Sequence, residues 1–219
     1  MDTEAIKEYI PLFAEAFVLT LKAGWLGILL SALIGISGGF ISYFKLPVLS
    51  VIVKMYVELF RNTPLLVQLF FIYFGLPKVG ISLSAFFCGV LGLGLLGGAY
   101  MTESIRSGLE AVPQSQKEGA ISLGLNKREL FFYVILPQAI SISIPSVVAN
   151  VIFLLKETSV FSAISLMDLM FRAKDLIGLY YRTTECLLLL VLFYIVMLLP
   201  VSVLGRYVER KLRYGMYGE

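Results

Sequence analysis

The sequence predicts an all-α membrane protein with about five spanning helices, and three observations lead there. Apolar residues make up 58% of the chain and charged residues only 15%, against about 25% in an ordinary soluble domain. The mean hydropathy is +0.88, more apolar surface than a single soluble domain of 219 residues can bury. The apolar residues also fall into runs of span length, separated by short polar connectors. The bilayer must take up what no soluble core can.

A span needs about 20 mostly apolar residues. Segments 19–43, 84–107, 137–156 and 184–208 qualify outright, and 51–76 qualifies with one polar interruption. Residues 1–13 set Asp2, Glu4 and Glu8 around Lys7. A secretory signal carries a basic n-region, so this stretch reads as an interfacial lead-in. Ser31, Gly35 and Gly39 lie four apart, as do Ala85 and Gly89, and Gly94 and Gly98. Such stripes let helix backbones approach closely in lipid, which predicts a packed bundle of one domain, 1–219.

Orientation follows from Lys and Arg placement. With the C-terminus cytoplasmic and the N-terminus outside, ten of the 18 basic residues face the cytoplasm and five face out. The remaining three, Lys22, Arg61 and Lys156, lie near or within spans. The cluster 206–213 is the strongest cytoplasmic anchor.

Composition also excludes function classes. There is no histidine, which removes the commonest metal ligand and general base. Cys88 and Cys186 each sit in an apolar run and read as core residues. No basic tract interleaved with aromatics points to nucleic acid. No glycine-rich phosphate loop, zinc-protease helix motif or Cys-x-x-Cys occurs, so no ATP, metal or other cofactor is expected on this chain.

The polar segment 109–136 is too charged to span. Pro113 suits a first helical position, Gly124 a left-handed stop, and Asn126 with Glu129 a capping box. Two short helices are therefore predicted, with Pro137 bending the chain into the fourth span. On physics alone the segment is a solvated connector or a docking element for another protein.

The residue pattern favours docking. Glu118-Gly119-Ala120, Gly124 and Val134-x-Leu136-Pro137 resemble the coupling loop of ATP-binding-cassette importer permeases, with Gly119 and Val134 as departures. The sequence from Glu58 through Arg61, Thr63 and Pro64 to Gln68 is similar to the second-span signature of the polar amino-acid permeases, the histidine/glutamine type. So are Gly98 to Glu103 and Lys156-Glu157-Thr158-Ser159, where Glu157 stands in place of the usual aspartate.

That resemblance implies a type I importer permease fold in the inner membrane of a bacterium. It implies a second permease subunit (the same chain or a related one), a cytoplasmic ATPase dimer that uses ATP and Mg, and an extracytoplasmic amino-acid-binding protein. The chain would be a transporter subunit, not an enzyme, for a cargo such as glutamine, glutamate, histidine, arginine or cystine. Thr63, Pro64, Gln68, Glu157, Thr158 and Ser159 are the expected cargo-pathway residues. Glu118, Gly119, Ala120, Gly124, Leu136 and Pro137 are the expected ATPase-coupling residues. The competing class is an ATPase-independent secondary transporter or channel subunit, which would show paired intramembrane ionisable groups or inverted repeats. No internal repeat is evident.

Other polar residues take plainer readings. Arg61 is expected to reach a headgroup or carbonyl and Lys156 to snorkel. Tyr100 reads as an interfacial anchor, and Glu103 as an i+3 partner of Arg106.

Overall fold

The computed structural model describes residues 3–217, with side chains for 4–212. Met1, Asp2, Gly218, Glu219 and the side chain of Arg213 therefore lie outside the described residues. Within them every regular element is helical, with no strand. In order come α1 (Thr3–Tyr43), α2 (Leu49–Arg61), α3 (Leu65–Phe70), α4 (Ala85–Glu110) and α5 (Gln114–Ser122). Then follow α6 (Lys127–Glu129), α7 (Leu136–Glu157), α8 (Leu169–Tyr180) and α9 (Thr183–Tyr217). α1, α4, the run from α6 through α7, and α9 are each long and apolar enough to cross a membrane; α2 and the segment Leu65–Val79 together meet the same measure, across a sharp break.

The expected lead-in is part of α1, which runs 41 residues, about 60 Å at 1.5 Å per residue. Ala5, Tyr9, Phe13 and Ala16 recur at helical spacing and bury one face against α8 and the start of α9. Phe13 stacks on Phe193 at 5.7 Å. This packing at the α8 end outweighs the polar residues on the opposite face and continues the helix through Pro11.

α4 is the central helix, and its small residues set how closely its neighbours come. A Cβ on Gly97 would lie 2.2 Å from Ser31 Oγ of α1 and 2.5 Å from Leu154 Cδ1 of α7. Ser31 Oγ sits in this contact because it donates to the Gly27 carbonyl of its own helix at 2.8 Å. The predicted stripes of Ser31, Gly35 and Gly39 and of Gly94 and Gly98 thus form the α1–α4 seam, while Gly89 faces Phe161 beyond α7.

The second span does not tolerate its interruption. α2 and the segment Leu65–Val79 meet at 104°. Pro64 has no N–H to give the Phe60 carbonyl and disfavours a helical Thr63 before it.

The polar segment folds close to expectation. α5 begins at Gln114, with Pro113 one position earlier, extended at the cap. Gly124 takes φ +85°. The Leu125 N–H bonds to the Ala120 carbonyl and the Gly124 N–H to that of Ile121, the paired bonds of a Schellman stop. Asn126 and Glu129 form the capping box. At Pro137 the expected bend is absent. The chain stays helical from α6 into α7 through a π turn, Leu130–Ile135, whose wider ring accommodates a residue with no N–H and a bulky Cδ.

Candidate functional site: a charged cleft between α2, α4 and α7

α2 is amphipathic although it lies in an apolar bundle. Ser50, Lys54, Glu58 and Arg61 fall on one face at spacings of four, four and three. α4 ends with a matching face, Glu103, Arg106 and Glu110. The two stripes enclose a cleft of about 380 Å³, completed by Ser42 and Thr102. Its lining holds three cations (Lys54, Arg61, Arg106) and three carboxylates (Glu58, Glu103, Glu110).

Arg106 is the organising group. Its guanidinium bridges Glu103 and Glu110, each about one turn of α4 away on either side, and its Nε donates to Glu103 at 3.2 Å. The expected Glu103–Arg106 pair is therefore present, and it lines a cleft. The Arg61 guanidinium lies over Tyr100, 5.2 Å from the ring centroid. Tyr100 in turn packs edge-on against Phe153 of α7.

A second cleft of about 330 Å³ shares Arg61 and Glu103 and extends to α7. Ser104 Oγ donates to the Tyr100 carbonyl at 3.1 Å and accepts from Asn150 Nδ2 at 2.9 Å. A hydroxyl oxygen has two acceptor sites, so the 2.7 Å contact with Ser146 Oγ has Ser146 as donor. One polar surface thus runs across three helices. Intramembrane polar groups are costly in lipid and gather where water or cargo can meet them.

The expected pathway residues fall into two groups, and the structure brings the groups together. α3 packs against the Thr158–Ile164 turn that follows α7. At the break, Gln68 Nε2 donates to the carbonyls of Phe60 (3.0 Å) and Thr63 (3.0 Å) and to Thr63 Oγ1 (2.9 Å). Thr63 Oγ1 donates to the Leu59 carbonyl, and Asn62 Nδ2 to that of Glu58. Side chains thus satisfy the carbonyls that the broken helix would orphan. Gln68 is buried, and its Oε1 has no partner among the described residues. Pro64 is exposed, Glu157 and Ser159 are half-buried, and Thr158 is fully buried, its hydroxyl donating to the Leu155 carbonyl at 2.7 Å.

The expected coupling residues cluster at the end of the bundle where the charged cleft opens. Glu118 is exposed and accepts from Gln114 Nε2 at 3.1 Å. Gly119 is exposed, with open space where a Cβ would sit. Ala120 is buried beneath α5. Leu136 and Pro137 begin α7 beside a small core of Leu109, Val112, Ile135 and Ala139. Ile121 and Leu123, 57% and 83% exposed, stand out of this polar elbow.

Sequence reasoning did not single out Lys54, Glu58, Ser104, Ser146 or Asn150 as site residues. Two signals were present: the i, i+4, i+7 charges of α2, and the i, i+4 pair Ser146 and Asn150 inside an apolar run. Among the described residues no cluster of metal-ligating side chains occurs.

Residues 27–214 match the family described as binding-protein-dependent transport system inner membrane component. The chain is 36% identical over 172 residues to the probable glutamine ABC transporter permease protein GlnP of Bacillus subtilis, covering 78% of this chain and 79% of that protein. It is 35% identical over 218 residues to the arginine transport system permease protein ArtQ of the same organism, covering 97% and 98%. A crystal structure of an amino acid ABC transporter with histidines superposes with a TM-score of 0.90 at 34% identity, covering 96% of this chain and 99% of that one. The MetNI methionine ABC transporter, at 19% identity and a TM-score of 0.78, shares the fold. With its broken second span, glycine-lined central helix and exposed polar elbow, the chain belongs to the family of binding-protein-dependent transport system inner membrane components.

Proposed function

We propose that the chain is the permease subunit of an ATP-binding-cassette importer that carries a polar amino acid across the inner membrane. The observation that carries this reading is the pairing of an exposed docking elbow with an intramembrane charged cleft at the same end of the bundle. The chain has no phosphate-binding loop of its own, so ATP and Mg belong to a separate ATPase dimer. The elbow is its grip: Glu118 offers a charge, and Ile121 and Leu123 offer apolar surface. An extracytoplasmic binding protein delivers the cargo, and a second permease subunit completes the pathway. The elbow lies in the cytoplasm and the N-terminus outside, as the excess of basic residues around the elbow and C-terminus favours.

An amino acid carries one ammonium and one carboxylate. A cleft with equal numbers of cations and carboxylates suits both without a net charge to trap either. Arg61 is placed to receive the carboxylate, and Glu58 or Glu103 the ammonium. Thr63, Pro64 and Gln68 shape the turn above this cleft, and Glu157, Thr158 and Ser159 border the cargo's route where α7 ends. Glu118, Gly119, Ala120, Gly124, Leu136 and Pro137 transmit ATPase movement to α4 and α7.

The test is reconstitution of the chain with its co-purifying ATPase and binding protein in proteoliposomes. Hydrolysis should rise when binding protein is loaded with one polar amino acid, and uptake should need ATP. Uptake that proceeds at full rate without an ATPase would overturn the proposal.

A further inference from the structure

A separate groove lies on the far side of α7, away from the charged cleft. It runs between α7 and α9, holds about 660 Å³, and is walled by Ile152, Leu190, Val191, Ile195, Leu198 and Leu199. Two cations, Lys156 and Arg206, line this mainly apolar groove, with Ser202 and Tyr194 also in its wall; the lining contains no Asp or Glu. Both basic side chains are exposed, and neither forms an ion pair among the described residues.

The helix directions bring the two cations towards each other. Gly205 of α9 lies against Val148 of α7 and Tyr194 of α9 lies beside Thr158, so the two helices run antiparallel and Arg206 stands about two to three turns from the level of Lys156. Cα–Cβ bonds tilt towards a helix N-terminus. On α7 this aims Lys156 back along the groove, and on α9 it aims Arg206 forward to meet it. Ser202 lies one turn before Arg206 on the same face.

The groove faces outward on the most apolar helix of the chain. Leu187, Val191, Ile195, Val196, Leu199 and Val203 of α9 are all exposed. An unpaired cation on such a face is costly in lipid unless an anion meets it. A second copy docked through this face would place Lys156 and Arg206 against their own symmetry mates. α9 offers no carboxylate to relieve that repulsion from Cys186 to Tyr207. The complementary occupant has an apolar tail and a negatively charged head.

We propose that this groove is a binding site for one anionic glycerophospholipid, its acyl chain along Val191, Ile195 and Leu199 and its phosphate between Lys156, Ser202 and Arg206. The site is distinct from the charged cleft and does not depend on the cargo assigned above.

The experiment uses the full chain, with any co-purifying subunits, in mild detergent. Native mass spectrometry counts retained lipid after titration with phosphatidylglycerol, phosphatidylcholine or inorganic phosphate. Phosphatidylglycerol should be retained preferentially, and free phosphate should not displace it. Each Lys or Arg near anionic lipid contributes about 1 kcal/mol, so the Lys156→Gln/Arg206→Gln variant should bind it about thirtyfold more weakly. An Arg210→Gln/Lys211→Gln control, outside the groove, should bind as the native chain does. Leu198→Trp keeps both charges and fills the groove, and it too should lose the lipid. That variant decides the matter if the charge-deleted one fails to fold. Equal retention of phosphatidylcholine, equal loss in the control, or full retention by Leu198→Trp would each overturn the proposal.

Discussion

Replacing Gln68 by leucine tests whether this residue seals the break in the second span. Its amide donates to two backbone carbonyls and one hydroxyl, all within 3.0 Å. The amide has two N–H groups, shared among these three acceptors, and a typical hydrogen bond contributes about 1 kcal/mol net, so losing two costs about 2 kcal/mol. Leucine also removes the buried, partnerless Oε1, which returns about 1 kcal/mol. The net is a loss of about 1 kcal/mol, or about 2–4 °C in thermal midpoint for a chain of this size. Thr63→Val removes the hydroxyl that Gln68 meets, so the two substitutions should couple by about 1 kcal/mol in a double-mutant cycle. The assay is thermal unfolding of the four variants in one detergent, followed by intrinsic fluorescence. An unchanged midpoint for Gln68→Leu, or strict additivity with Thr63→Val, would refute the sealing role.

Four further outcomes follow from the same geometry. A Cβ on Gly108 would sit 1.8 Å from Ser143 Oγ and 2.9 Å from the Ala139 carbonyl; Gly108→Ala should cost about 2–3 kcal/mol, partly restored by Ser143→Gly, as thermal midpoints will show. Glu103→Gln should cut reconstituted uptake about tenfold yet move the midpoint little, because a partly exposed pair contributes only about 0.2–1 kcal/mol to stability; equal losses in both would make Glu103 merely structural. Glu118→Lys should leave the complex assembled but lower uptake by more than about tenfold, since breaking an interfacial charge pair costs about 2–5 kcal/mol. Asp168 caps α8 through the N–H groups of Met170 and Phe171, and burial pushes its carboxyl up to about 7. The folded state therefore favours the protonated form: stability is greatest near pH 4, falls as pH rises to about 7, and is level above, by about 4 kcal/mol at most. Asp168→Asn keeps a capping oxygen and should flatten that profile; an unchanged pH dependence of the midpoint would exclude Asp168 as its source.

Local signals were legible in the sequence, and convergent ones were not. The Gly124 stop and the Asn126–Glu129 box depend on residues within a few positions, so their chemistry could be read directly. The spans could be read from apolar length alone. The charged cleft needed α2 and α4 side by side, and no pattern within either helix says which face the other will meet. Arg61 illustrates the gap: its partner, Tyr100, is 39 positions away, and only the fold puts ring and guanidinium together. Gln68 and Thr158 were legible as polar residues in apolar surroundings, but not their bonds to nearby backbone. The helical register of Ala5, Tyr9, Phe13 and Ala16 was present in the sequence, masked by the acidic residues between them.

The unbroken helix from Lys127 to Glu157 has a mechanical consequence. It meets α4 closely at two levels, Ser143 against Gly108 and Leu154 against Gly97, about 16 Å apart along the rod. A rod gripped at two places cannot seesaw on its neighbour. A tug of one ångström beside Asn126 would therefore carry both helices along as one stiff body.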